Sequence, residues 1–170
     1  MKNLKKLVLA SLFIALDIIF TRFFSVLILN VDRISLQFLS HTLSGLFLGP
    51  IWAVATAVVG DILGMLINSA GATFTFGLTL SAAVRGLIYG LMLYKKPIKY
   101  WRTFLAVSVV TVVVDIGLNP IWMSMLYGNG YVATLLVKLP IRAVFIPIAA
   151  TVLYFVAKGV TRAVKVPSKK

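Results

Sequence analysis

The sequence predicts an all-α membrane protein, a six-transmembrane-helix bundle with both termini cytoplasmic. Three observations predict it. Hydrophobic residues make up 61% of the 170 residues and charged residues only 12%, where a soluble domain carries about 25% charged, and the mean hydropathy is +1.03. The apolar residues fall in stretches of helix length, separated by Gly-Pro and Gly-rich breaks. Twelve of the seventeen Lys and Arg stand in three flanks: Lys2, Lys5 and Lys6, then Lys95, Lys96, Lys99 and Arg102, then Lys158, Arg162, Lys165, Lys169 and Lys170. Six spans place all three flanks on one side, and positive residues mark that side as cytoplasmic. At about 20 residues per span, six spans use about 120 residues. Short loops remain, so residues 1–170 form a single integral membrane domain with no room for a soluble catalytic one.

The first helix is expected over 7–27. Its basic start imitates a secretory signal, but the apolar run continues to Phe24 without an A-x-A cleavage site, so it reads as an uncleaved span. The second, 35–48, is short and partly polar. Gly49-Pro50 separates it from the third, 51–67, because Pro cannot continue a helical ladder but fits a helix start. Asn68-Ser69-Ala70-Gly71 ends the third, and the fourth covers 76–94. The fifth covers 103–125, and Tyr127-Gly128-Asn129-Gly130 separates it from the sixth, 132–160.

Composition excludes several chemistries. The net charge of +13 would suggest nucleic acid in a soluble protein; here it comes from flanks that orient the chain and touch anionic lipid, so no nucleic-acid partner is expected. There is no Cys, no Glu and one His, which removes disulfides, thiol chemistry and the usual zinc sets, so no metal and no cofactor are expected. No G-x-x-x-x-G-K-[ST] sequence occurs, so the chain lacks that device for ATP. His41 and Ser44 stand three apart without a G-x-S-x-G element, and His41 reads as a packing residue.

Five cations remain inside or at the outer ends of apolar segments: Arg22, Arg33, Arg85, Lys138 and Arg142. Each costs about 2.5–3.5 kcal/mol at mid-membrane, which points to anionic partners. At 1.5 Å per residue, Asp61 and Arg85 lie about 15 and about 14 Å from the inner ends of their helices, so they are expected to form a structural ion pair. Asp115 and Lys138 share the outer third, and Arg142 and Asp17 lie near mid-depth. Asp115, Asn119 and Trp122, spaced i, i+4, i+7, share one helix face, as do Lys138 and Arg142 on the next helix. Cations, amide and indole there suit an anionic heteroaromatic molecule entering from outside. Ser11 and Ala15, and Ala53 and Ala57 with Ala55, form small-residue faces; packing within the bundle and docking of another membrane protein both stay open.

The stretch RISLQFLSHTLSGLFLGPIWAVATAVVGDILG, residues 33–64, resembles the substrate-binding S components of energy-coupling factor (ECF) vitamin transporters. The matching positions are Arg33, Phe38, Gly45, Gly49, Pro50, Asp61, Leu63 and Gly64. FTFGLTLSAAVRGLIYGLML looks like that family's fourth helix, and LNPIWMSMLYGNGYVATLLVKLPIRAVFIPI is most similar to the folate-specific branch. The resemblance implies a non-enzymatic subunit of the bacterial cell membrane. Such a subunit captures folate from outside and docks on a transmembrane coupling subunit with two cytoplasmic ATPases. It implies docking through Ser11, Ala15, Ala53 and Ala57 and gating by the first and third loops; with folate as the ligand, the charge and aromatic pattern makes Arg22, Arg33, Phe74, Asp115, Asn119, Trp122, Lys138 and Arg142 the expected contacts. An S component for pantothenate, hydroxymethylpyrimidine or riboflavin stays open as an alternative, as does an intramembrane enzyme using His41 or an Asp.

Overall fold

A computed structural model describes residues 2–28, 32–67, 76–128 and 130–163. The chain opens with α1 (Lys2–Arg22), then strands β1 (Ser25–Ile28) and β2 (Asp32–Ser35), then α2 (Gln37–Leu48), α3 (Pro50–Ile67) and α4 (Phe76–Leu93). The fifth expected helix is one rod in three pieces: α5 (Tyr100–Val110), a π-helical segment (Thr111–Leu118) and α6 (Asn119–Tyr127). A single 33-residue helix, α7 (Tyr131–Ala163), completes the bundle and carries Pro140 and Pro147 without breaking.

One expectation needs correction. The fold is not purely helical: β1 and β2 pair antiparallel, Ser25 opposite Ser35 and Ile28 opposite Asp32, so the first loop is a hairpin and α1 stops at Arg22 rather than near 27. By length and composition, four helical rods among the described residues can cross a membrane: Pro50–Ile67, Phe76–Leu93, Tyr100–Leu126 and Tyr131–Arg162. The charges of α1 (Lys2, Lys5, Lys6, Asp17 and Arg22) limit its apolar run, and twelve-residue α2 is only about 18 Å long.

Short as it is, α2 is the most enclosed helix. Ten of its residues are buried, among α1, α3, α4 and α7. Glycines bring the helices around it into backbone contact. A Cβ on Gly45 would stand 2.8 Å from the Gly90 nitrogen, and one on Gly86 would stand 2.7 Å from the Ala53 carbonyl. Ala53 and Ala57 pack at Gly86 in the α3–α4 contact and are fully buried. Gly49, at φ +93°, makes the turn between α2 and α3 in a conformation that other residues adopt only under strain.

The apolar core joins Phe38 and Leu39 of α2 to Tyr89 and Leu93 of α4, Val107 and Val114 of the fifth rod, and Ala149, Ala150 and Leu153 of α7. Val156 and Val160 of α7 pack against the cluster of Ala10, Phe13, Leu43 and Leu48. The Tyr100 ring meets Tyr154 edge-on at 5.8 Å. These contacts bring the start of α1, the α4–α5 turn and the end of α7, with Lys5, Lys6, Lys95, Lys96, Lys99, Arg102, Lys158 and Arg162, to one end of the bundle. The hairpin lies at the other.

Candidate ligand-binding site

Asp115 sits in the π segment, where the Asn119 N–H reaches back five residues to the Val114 carbonyl. Pro120 follows, lacking an N–H and crowding the turn before it, and a wide turn accommodates it. On this segment the carboxylate of Asp115 is buried and gathers groups from three further elements. Arg85 of α4 donates from Nη2 to Asp115 Oδ1 at 2.8 Å, and Asn119 donates from Nδ2 to the same oxygen at 3.2 Å. Arg142 Nη1 of α7 stands 3.2 Å from Asp115 Oδ2. The second arm of Arg85 donates to Gln37 Oε1 at 2.8 Å, tying in the first turn of α2. The Arg142 guanidinium also lies over the Phe145 ring, 5.3 Å from its centre, and Phe145 meets Phe38 edge-on.

Trp122 borders this layer. Its ring lies flat on α4 at Gly77, where any Cβ would overlap the indole. Among the described residues, the buried Trp122 Nε1 and Asn119 Oδ1 have no hydrogen-bond partner. A donor and an acceptor thus remain beside two guanidiniums held in place by one carboxylate. Lys138, one turn from Arg142 on α7, is fully buried. Because Gln37 begins α2 directly after β2, the layer lies toward the hairpin end. Such an arrangement offers cations, a hydrogen-bond donor and an acceptor; among the described residues nothing in it pairs a nucleophile with a base.

A second polar cluster lies between α1 and α3. Asp61 accepts from Thr79 Oγ1 at 2.8 Å, and Arg22 Nη2 lies 3.8 Å from Asp61 Oδ1 and donates weakly to the Asp61 carbonyl at 3.4 Å. Gly60 and Gly64 leave the space into which Asp17 and Arg22 fit. Asp17 faces His41, with Nε2 3.2 Å from Oδ1. Ser44 donates to the His41 backbone carbonyl rather than to its imidazole.

Sequence reasoning brought Asp115, Asn119, Trp122 and Arg142 to one place, and the structure does the same. The partners differ from those expected: Arg85 pairs with Asp115 instead of Asp61, Arg22 takes Asp61, and the carboxylate Lys138 was to share goes to Arg85 and Arg142. Equal depth restricts a pair along the bundle axis but leaves rotation about each helix undetermined, and the π segment turns Asp115 toward α4. Arg33 stands in β2 opposite Leu27; Phe74 lies outside the described residues. Gln37 and Gly77 were missed. Gln37 is a lone amide at the start of an apolar helix, which is a usable signal; a glycine that seats an indole from another helix has none.

The family model described as "ECF transporter, substrate-specific component" matches residues 5–157. The chain is 36% identical over 162 residues to "Folate transporter FolT" of Clostridium novyi (strain NT), covering 95% of this chain and 93% of that one. It is 32% identical over 128 residues to the "Folate transporter FolT" of Leuconostoc mesenteroides subsp. mesenteroides, covering 75% and 68%. A solved structure, "Crystal structure of FolT bound with folic acid", matches with a TM-score of 0.85 and 34% identity over 91% of this chain and 93% of that one.

Proposed function

Because the chain belongs to the substrate-specific components of ECF transporters, we propose that it binds folate as the S component of such an importer, captures it from outside and delivers it inward with a coupling subunit and two ATPases. The observation that carries this reading is the match, along nearly the whole chain, to a structure named for bound folic acid. The chemistry of the site agrees with it. Folate carries two carboxylates and a pterin ring with a dense edge of donors and acceptors. Arg142 and Lys138 answer the carboxylates, with Arg33 from the hairpin. Asn119 Oδ1 and Trp122 Nε1 read polar edges, the indole face stacks, and Phe74 is a further stacking candidate. Asp115 holds the guanidiniums of Arg85 and Arg142 in register, and Asp61 with Arg22 serves as framework. Titration calorimetry of the purified chain should show one folate bound per protein. Heat from riboflavin or pantothenate but none from folate would overturn the substrate.

The membrane arrangement follows the same reading. α1 and α2 complete six spans with the four longer rods, and the end carrying the three basic flanks faces the cytoplasm. Docking falls to the exposed surface of Ser11 and Ala15 on α1 and of Ala55 on α3, since Ala53 and Ala57 are spent inside. Ala15→Leu should abolish folate uptake in cells while leaving folate binding unchanged. Ala57→Leu should instead destabilise the protein by about 1–3 kcal/mol, because a larger side chain overpacks a filled contact. Normal uptake by the Ala15 variant would remove that face from the docking surface.

A further inference from the structure

At the basic end, far along the bundle from the Asp115 layer, α4 ends and α5 begins around a surface cavity of about 260 Å³, lined by Met92, Lys96, Lys99, Trp101, Arg102 and Leu105. It falls below the roughly 300–1,000 Å³ of drug-sized ligand pockets and suits a compact head group. Its lining is divided: three cations, against an apolar wall of Met92, Trp101 and Leu105. Lys95, in the left-handed conformation at φ +54°, reverses the chain after α4, and Lys96 is steadied by donating from Nζ to the Leu91 carbonyl at 2.9 Å. Arg102 donates from Nη1 to the Pro97 carbonyl at 3.3 Å. These bonds go to neutral carbonyls and leave the charges uncompensated.

Among the described residues, no carboxylate reaches them. The chain has four, all Asp: Asp17 faces His41, Asp61 binds Thr79 and Arg22, Asp115 binds Arg85 and Arg142, and Asp32 belongs to the hairpin at the opposite end. The first turn of α5 carries no acidic residue and no side-chain cap, so its N–H groups add positive potential at the same place. Around the cavity runs an aromatic band: Trp101 stacks on Phe104 at 5.8 Å, Tyr100 stacks on Phe104 at 6.4 Å and Tyr154 meets Tyr100 edge-on. Trp and Tyr concentrate at the level of lipid head groups.

We propose that this cavity is a binding site for one anionic phospholipid, the phosphate held by Lys96, Lys99 and Arg102 and the start of an acyl chain laid on Met92, Trp101 and Leu105. The phosphate supplies a counter-charge that no described residue provides, and the apolar wall gives a lipid an advantage over free phosphate. The site is independent of folate binding.

Native mass spectrometry of the full chain in mild detergent, offered phosphatidylglycerol and phosphatidylcholine in equal amounts, tests it. Phosphatidylglycerol should be retained on the order of tenfold or more over phosphatidylcholine, and millimolar inorganic phosphate should not displace it. Joint replacement Lys96→Ala, Lys99→Ala and Arg102→Ala should abolish the preference. Lys96→Arg with Lys99→Arg should keep it, and so should Lys5→Ala with Lys6→Ala, which removes charge from another flank. Equal retention of the two lipids, an unchanged preference in the triple variant, or displacement by inorganic phosphate would each overturn the proposal. Far-UV circular dichroism checks folding, and should the triple variant not fold, Lys99→Ala alone must still reduce the preference.

Discussion

Asp61 and Asp115 are both buried carboxylates on apolar helices, and both meet arginines, yet their surroundings differ. Asp61 sits on an ordinary α-helix, receives the short bond of Thr79 and meets Arg22 only loosely, at 3.8 Å. Asp115 sits on a π segment and engages guanidiniums from α4 and α7 at 2.8 and 3.2 Å, with Asn119 closing on the same oxygen. Around Asp115 a buried indole N–H and an amide oxygen are left unspent among the described residues. In the proposed function Asp115 orders the groups that meet the ligand, and Asp61 is framework. The backbone under each makes the difference.

Substitutions can break that contrast, beginning with the largest expected effect. Asp115→Ala removes the anion between two guanidiniums, and breaking a buried pair costs about 3–5 kcal/mol. We expect folate affinity to fall at least about 100-fold by calorimetry; a loss smaller than tenfold would mean that the guanidiniums hold their places without it. Gly77→Ala pushes Trp122 off α4 and should weaken folate about tenfold, with a shifted tryptophan emission maximum reporting the moved indole. Asp61→Asn keeps a partner for Thr79 and loses the weak pairing with Arg22. It should lower stability by about 1–3 kcal/mol in thermal unfolding while folate affinity stays within about threefold. If Asp61→Asn instead costs as much affinity as Asp115→Ala, the two carboxylates do not differ in role.

What could be read in advance follows from what each signal measures. Hydropathy and the Gly49-Pro50 break locate helices, because burial in lipid and loss of an N–H are local properties. The i, i+4, i+7 spacing placed Asp115, Asn119 and Trp122 together, since they lie on one rod. Choosing which rod faces which needs rotation about the axes, so Arg85 was assigned to the wrong carboxylate. Small residues at Ala53 and Ala57 announced a close approach without naming the neighbour, which is Gly86 of α4. The hairpin of Ser25–Ile28 and Asp32–Ser35 was hidden because its first strand continues the apolar run of α1.

The wide turn over Thr111–Leu118 also acts as a phase shifter. An α-helix advances about 100° per residue, so the residue accommodated there sets the angular position of everything beyond it relative to α5. Deleting one residue from this stretch would keep the composition and apolar character of the rod. It would nevertheless swing Asn119 and Trp122 by about a quarter-turn away from Arg85 and Gly77. Between this chain and its relatives, alignment gaps falling at 111–118 are therefore the ones to watch: one missing residue there re-aims Asn119 and Trp122 without any substitution.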